Sequence, residues 1–545
     1  MREIGYKCTV FSITHLDRNP MPIPILTGAA MRRADEDTIS NLGIPGFTLM
    51  ETAGRGAAAA IEDFSGPLSQ RHVVVLCGKG NNGGDGLVVA RQLCLRNARV
   101  TVILIGRSDE LSPDALSNLT ILRRLLEADP SLQVDFKYYE PDTLDDILAD
   151  ADVVVDALLG TGIENDLKEP IRSIVESVNR AGSVVASVDI ATGLSTDTGR
   201  VLGAAVKADL TVTMAALKVG HVLNDGPVYS GRVEVIQIGI PRSTLEKSAS
   251  MDGCAWIATD HEVSRWFKPR SADAHKYSAG TVVAAVGSKS FPGAAVMAVS
   301  AASRIGAGYV ICGAPKSIQE TLSSRLTDVT ILPLKETVDG GIAKDARQGM
   351  EERLDRATAL LVGCGVGRDP DTLAFVRDLV GASELPGVID ADGLHAFAGD
   401  KQALRKPSGS EWILTPHWGE LKVLTGDEHL DQTDQIRVAS RFAAEWGCVL
   451  ILKGMPSVVG CPDGRDFVNP TGNTGLATAG TGDVLAGFCA GLLAQGLSPV
   501  EAAVAGLHIG GAAADLFASR ADSRTMIAMD LVELIPETVK LRFQM

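Results

Sequence analysis

One carboxylate set among small residues carries the clearest chemistry in the chain: Gly475-Leu476-Ala477-Thr478-Ala479-Gly480-Thr481-Gly482-Asp483, followed at once by an apolar helical pattern. Gly480 and Gly482 have no side chain to hinder a ligand, so backbone N–H groups can converge there on an anion at a helix N-terminus. Asp483 falls in the first turn. A carboxylate there would repel a phosphate unless it takes a proton from an attacking hydroxyl, so nest and base together describe phosphoryl transfer. A lone G-x-G-D would more plainly be a helix entry capped by Asp483. Lys453-Gly454, Thr415-Pro416-His417 and Asp390-Ala391-Asp392 stand upstream in strand-end positions and favour a site. Asp390 and Asp392 lie two apart on a strand end, so they are expected to face opposite ways and not to share one site.

A second constellation lies near the start. Gly78-Lys79-Gly80-Asn81-Asn82-Gly83-Gly84-Asp85-Gly86 follows an apolar run and precedes a helical one. It lacks the G-x-G-x-x-G spacing, and its amide and carboxylate oxygens suit a phosphate neighbour and a monovalent cation. The plainer reading is a glycine-rich turn. Asp156 and Asp189 each close a strand-like run, ahead of Gly160-Thr161-Gly162 and Thr192-Gly193. Neighbouring strand ends share one crevice in a doubly wound sheet, so one aspartate could hold a cation while the other moves a proton. Each alone could merely cap the next helix.

These residues need two scaffolds. A chain of 545 residues with 45% hydrophobic side chains, 57 glycines and 4% aromatics is expected to form two large α/β domains. Runs 73–77, 100–105, 153–156, 184–189, 210–214 and 233–240 read as strands, with helices at 85–97, 113–128 and 170–181. Residues 243–269 lose that rhythm and are expected as a linker. A second series follows, with strands at 281–286, 310–313, 359–362, 388–390, 412–414 and 449–452 and helices at 293–308, 370–380 and 434–445. The helix at 293–308 is rich in small residues and is expected to leave room for a flat ligand. The fold class is therefore α/β with two doubly wound domains, divided as 1–25 extension, 26–242, 243–269 linker and 270–545. A net charge of −16 argues against nucleic-acid or anionic-membrane binding. Nine scattered cysteines without C-x-x-C pairs read as buried thiols of a reducing cytoplasm. No uninterrupted apolar run approaches the length of a membrane span.

The N-terminal motifs, with Met31-Arg32-Arg33-Ala34-Asp35, Leu49-Met50-Glu51-Thr52-Ala53-Gly54 and Thr211-Val212-Thr213, resemble the NAD(P)H-hydrate epimerase family over about 26–241. That resemblance implies a Rossmann-like three-layer sandwich that interconverts the R and S hydrates of NADH and NADPH at C6. By position, Asn81, Asn82, Gly83, Gly84 and Asp85 would contact the dinucleotide, with Gly160, Thr161, Gly162, Ile163, Glu164, Asn165 and Asp166. Asn82, Asp156 and Thr192 would hold K+, and Asp189 would be the acid/base. The family usually carries Asp-x-Pro-Ser-Gly where this chain has Asp189-Ile190-Ala191-Thr192-Gly193, so a looser potassium loop is expected.

The C-terminal motifs resemble the ribokinase-like superfamily, and within it the ADP- or ATP-dependent NAD(P)H-hydrate dehydratases, over about 266–542. The resemblance implies that Ala294, Gly367, His417 and Asp483 touch the S hydrate. Lys453, Gly454, Met455, Pro456, Ser457 and Gly482 would line the adenine nucleotide site, with Mg2+ accompanying ADP or ATP. The whole chain would then be a bifunctional, homo-oligomeric repair enzyme with NADHX, NADPHX and an adenine nucleotide as its only partners. The alternative is a small-alcohol or vitamin kinase fused to a non-catalytic Rossmann-like binding module.

Overall fold

The computed structural model describes residues 12–13, 21–267, 269–400 and 412–543. Residues expected as an N-terminal extension fall largely outside that set, as does Cys8. The other eight cysteines are all buried and free. The chain divides into two compact units, with 23–255 in one and 256–545 in the other.

The first unit is built on an eight-stranded parallel sheet. Its order is Ser12–Ile13, Arg232–Ile236, Leu210–Met214, Val184–Val188, Val153–Ala157, His72–Cys77, Arg99–Leu104 and Val134–Tyr138. The β-branched runs are buried on both faces, as parallel strands covered by helices require. The chain leaves His72–Cys77 in one direction through Arg99–Leu104 and returns on its other side at Val153–Ala157. That reversal opens a crevice at the two strand ends. The helix expected from residue 85 starts at Asn81. The Asn-Asn-Gly-Gly-Asp run is therefore the helix's first turn, because Gly83 lies against the Gly78 carbonyl and Gly84 against Met50, where a Cβ would collide. Helices Gly28–Ser40, Gly46–Ser65 and Pro141–Ala149 and the edge strand Val134–Tyr138 were not expected.

The second unit carries strands in the order Thr330–Leu334, Tyr309–Pro315, Thr281–Ala285, Ala359–Val362, Gly387–Ile389, Trp412–Leu414 and Val449–Leu452, all parallel. An antiparallel turn through Val458–Gly460 and Phe467–Val468 continues it. Here the reversal falls between Thr281–Ala285 and Ala359–Val362. The small residues of Pro292–Arg304 do not simply leave space for a ligand. They let helix Thr481–Ala494 press close, and a side chain at Gly487 would collide with the Ala298 carbonyl. That contact fixes the start of the Asp483 helix.

The stretch 243–269 is not an unstructured connection. It holds helix Arg242–Ser248, strand Ala255–Ile257 and helix Asp260–Trp266. These elements are too short for periodicity to reveal. Helix Pro499–Ala518 is long and apolar enough to cross a membrane by composition, and 72% of that window is buried in the fold.

Candidate active sites

The crevice of the first unit is a cavity of about 490 Å³. Asn81, Asn82, Asp85, Gly160, Thr161, Gly162 and Asp189 line it together. Gly83 and Gly84 lie beneath the wall as packing surfaces. Ile163, Glu164, Asn165 and Asp166 do not line it, and the last three are exposed.

Asp156 is fully buried at the end of its strand. Its carboxylate accepts from the Thr192 amide at 2.9 Å and hydroxyl at 2.7 Å, from Ser187 Oγ at 2.8 Å and from the Leu158 amide at 3.3 Å. Burial pushes its pKa up against the pull of these bonds. The loop expected to be loose at Ala191-Thr192 is thus tied to Asp156 through both backbone and side chain. Asn82, at the helix start nearby, is buried with neither side-chain oxygen nor nitrogen hydrogen-bonded. An orphaned buried amide facing Gly160, on the loop that leaves buried Asp156, offers an oxygen of the kind a monovalent cation would satisfy.

Asp189 has φ +68° and a clamped carboxylate. Its Oδ1 accepts from Lys218 Nζ at 2.5 Å, Thr213 Oγ1 at 3.1 Å and the Met214 amide at 3.3 Å. Lys218 is wholly buried and spends its other donors on Thr213 Oγ1 and the Met214 carbonyl. Burial opposes ionisation of Asp189, but the Lys218 charge outweighs it and holds the carboxyl below its ordinary range. His221 Nδ1 accepts from the Lys218 amide, so the proton sits on Nε2 and is donated to the Asp189 carbonyl at 2.9 Å. Burial and Lys218 push His221 down to about 4, so it stays neutral. Asp35 and Asp85 share the cavity wall. Burial raises Asp35 to about 6 and Asp85 well above its usual value. Lys218 was missed from the sequence. The signal available was a lysine inside the apolar run Ala215-Ala216-Leu217-Lys218-Val219.

In the second unit Gly480, φ +92°, turns the chain into helix Thr481–Ala494. The Thr481 amide is spent on the Thr478 carbonyl, leaving Gly482 and Asp483 as first-turn N–H groups open to a ligand. Lys453, Gly454, Met455, Pro456, Ser457 and Gly482 all line one cavity of about 500 Å³, with Asn469, Asn473, Leu476 and Phe488. Ala294, Gly367, His417 and Asp483 lie outside that cavity. Asp483 lies at its edge, next to Gly482, and a Cβ on Gly482 would stand 3.4 Å from Lys453 Nζ. His417 caps the next helix, its Nδ1 accepting from the Gly419 and Glu420 amides, which leaves Nε2 outward.

Asp390 is buried, accepting from Thr415 Oγ1 at 2.5 Å and Lys453 Nζ at 3.0 Å. Burial opposes the Lys453 charge, yet Asp390 and Glu420 raise its pKa. Burial and the Asp390 charge push Asp483 up to about 7, against a Cys364 hydrogen bond and Lys453. The expectation that Asp390 and Asp392 face apart is corrected. Residues two apart on a strand share a face, and here the strand has already ended at Ile389, with Ala391 at φ +52° turning the chain into the next helix. Asp392 then accepts from the Gly367 amide at 3.2 Å, and both carboxylates act on Asp483. Cys364, Asp390 and Asp483 offer atoms within 4.8 Å of one another. A thiol and a lysine-bound carboxylate are poor partners for Mg2+, which prefers oxygen and keeps company with nucleotide phosphates.

The family described as YjeF-related protein N-terminus matches residues 46–220, and that described as NAD(P)H-hydrate dehydratase matches 282–537. The bifunctional NAD(P)H-hydrate repair enzyme Nnr of Salinibacter ruber is 49% identical over 526 residues, covering 95% of this chain and 97% of that protein. The enzyme of the same name from Moorella thermoacetica is 38% identical over 527 residues, 95% and 96% of the two chains. Among solved structures, the ADP/ATP-dependent NAD(P)H-hydrate dehydratase of Bacillus subtilis, co-crystallised with ATP/Mg2+, aligns with TM-score 0.46 and 29% identity, covering 53% of this chain and 98% of that one.

Proposed function

The chain belongs to the family of bifunctional NAD(P)H-hydrate repair enzymes, and we propose that its two cavities act in turn on one damaged dinucleotide. The first unit epimerises the R and S hydrates, and the second dehydrates the S hydrate to NAD(P)H at the expense of an adenine nucleotide. Membership over both halves disfavours the kinase with a silent binding module. One observation carries the reading: each crevice holds its own carboxylate with a lysine fixed near it, Asp189 with buried Lys218 and Asp483 close to half-buried Lys453.

In the dehydratase half, hydroxide is a poor leaving group, so C6–OH must first be activated. Asp483 takes the hydroxyl proton as that oxygen attacks the terminal phosphoryl group. A base titrating near 7 is matched to neutral operation. Lys453 and the Gly482 amide stabilise charge on the phosphoryl oxygens. The C6–O bond of the resulting ester then breaks with help from the ring nitrogen, C5 gives up a proton, and the dihydronicotinamide returns. His417 Nε2, Ala294 and Gly367 would meet the hydrate, while residues 453–457 would hold the nucleotide. Mg2+ would arrive on that nucleotide and neutralise its phosphates.

In the epimerase half, Asn82, Asp156 and Thr192 would hold K+, whose charge would draw the substrate's pyrophosphate toward the first turn at Asn81–Asp85. Asp189 works as the proton acceptor near C6.

The test is a mixture of NADHX epimers supplied with ADP or ATP, followed by the return of dihydronicotinamide absorbance. Complete recovery supports both activities. Recovery that stops at the S fraction removes the epimerase, and no recovery with either nucleotide removes the dehydratase.

A further inference from the structure

The epimerase cavity contains more carboxylates than its positive charge can match. Asp35, Asp85 and Asp189 line it together with Lys218, and Arg32 and Asp114 complete its charged wall. The three hydrogen bonds of Lys218 Nζ go to Asp189, Thr213 and the Met214 carbonyl. Asp189 is therefore the carboxylate that receives the counter-ion. No described residue donates a hydrogen bond to the Asp35 side chain, which is half-buried on helix Gly28–Ser40 and belongs to a different wall from Asp189.

Inversion at C6 needs two proton-transfer groups. C6 bears both the hydroxyl and ring nitrogen N1. When a base removes the hydroxyl proton, the C–O bond becomes a carbonyl, the C6–N1 bond breaks and its electron pair passes to N1, which must take up a proton. The ring is then open, with an aldehyde at one end and N–H at the other. Rotation about C5–C6 presents the other face, N1 loses its proton as it attacks, and the alkoxide regains one. No net oxidation, reduction or proton gain occurs.

Resting on the epimerase reading of this cavity, we infer that Asp35 is the second catalytic residue of the epimerisation: it gives the proton to N1 on opening and takes it back on closure, while Lys218-bound Asp189 serves the C6 oxygen. Burial and the neighbouring Asp189 and Glu36 charges, against Lys218, raise Asp35 to about 6, so it can both give and take a proton near neutrality. Asp85 is driven higher by burial, Asp189 and Asp35.

The experiment uses the full chain, K+ and purified R-NADHX without nucleotide, so that the dehydratase is silent and R-to-S conversion is read by proton NMR. Asp35→Asn should lose about 10²-fold or more in kcat with KM little changed. It should also lose the alkaline limb of the kcat/KM profile. Asp35→Glu should recover part of the rate with that limb displaced, and Asp85→Asn should keep the limb. An unchanged urea unfolding transition of the first unit in Asp35→Asn shows that the fold around the epimerase cavity is intact; if that is lost, the limb in Asp35→Glu decides. A rate within threefold of wild type, a loss confined to KM, or a limb unmoved in Asp35→Glu overturns the assignment. A wild-type chain that does not interconvert the epimers would instead sink the epimerase reading.

Discussion

Lys453 Nζ stands 3.0 Å from Asp390 Oδ1, and the same lysine lies on the wall of the nucleotide cavity. The pair links the strand end Gly387–Ile389 to the phosphoryl-transfer centre through one buried carboxylate. Thr415 supplies the other strong hydrogen bond to that carboxylate. A lysine fixed in this way needs little reorganisation when charge develops on a phosphoryl oxygen.

Removing the lysine should therefore do two kinds of damage. Lys453→Met leaves Asp390 buried without its counter-ion, a loss of about 3–5 kcal/mol by the usual cost of breaking a buried pair. Urea unfolding of the second-unit transition measures it. Dehydration should fall at least about 10²-fold in kcat. Pairing Lys453→Met with Asp390→Leu should return much of the stability and none of the dehydration rate. Equal recovery of both would contradict the role given to Lys453.

Asp483→Asn should abolish dehydration by about 10²–10⁴-fold and leave epimerisation intact. In the wild type the dehydration rate should rise with pH through about 7, because only the ionised carboxyl accepts the C6–OH proton. The stability effect runs the opposite way. The folded pKa lies above the ordinary aspartate value of 3.8, so the folded state holds this proton more tightly, and its contribution declines as pH rises from 3.8 to about 7. A dehydration profile flat between pH 6 and 8 in the wild type, with chemistry limiting, would refute the base assignment.

Asp156 and Asn82 drew attention as a strand-end carboxylate and part of an amide-rich first turn, whereas Thr192 entered only through the family resemblance; the K+ role of all three is a proposal. Asp483 was legible by its type and position. Lys218 was not, since a lysine between Leu217 and Val219 discloses its buried Asp189 partner only once Leu210–Met214 and Val184–Val188 are side by side. The Asp390-Ala391-Asp392 reading failed because residues two apart on a strand share a face, and because the strand has already ended at Ile389. The positive φ of Ala391 has no local sequence signature. Stretch 243–269 was expected as a linker, and the boundary between the two units falls inside it; its three elements of three to seven residues were not legible because they are shorter than the window that makes a period visible.

Thr192→Val removes one hydroxyl and keeps the shape. Asp156 then loses the 2.7 Å bond and any cation held there loses an oxygen. Stability should fall by about 1–3 kcal/mol. Wild-type epimerisation should be faster in KCl than in LiCl at equal ionic strength, and Thr192→Val should respond equally to both. A variant that keeps the full KCl advantage would remove Thr192 from the proposed K+ site.

The last helix, Ala528–Arg542, packs Leu531, Val532 and Ile535 into the core of the second unit and is tied by charge at its C-terminal end. Arg542 donates to Asp260 at 2.8 and 2.9 Å, and His508 Nε2 lies 2.6 Å from the same carboxylate. Burial raises Asp260, but His508 and Arg542 together hold it below 3.8, so its contribution is present above that value and lost in acid. Burial also lowers His508 below 6.5, so it folds neutral, and stability falls as pH drops through 6.5. Arg542→Met should cost about 2 kcal/mol at pH 7. It should also leave His508 as the sole partner of Asp260, raising the imidazole pKa. The variant should then lose less stability between pH 7 and 5.5 than the wild type does. Leu531 on this helix and Leu507 and Gly510 beside His508 line the nucleotide cavity, so the same variant should raise the KM for ADP. Urea midpoints at the two pH values, read beside that KM, test both halves, and a parallel fall in wild type and variant would show that Arg542 does not set the protonation of His508.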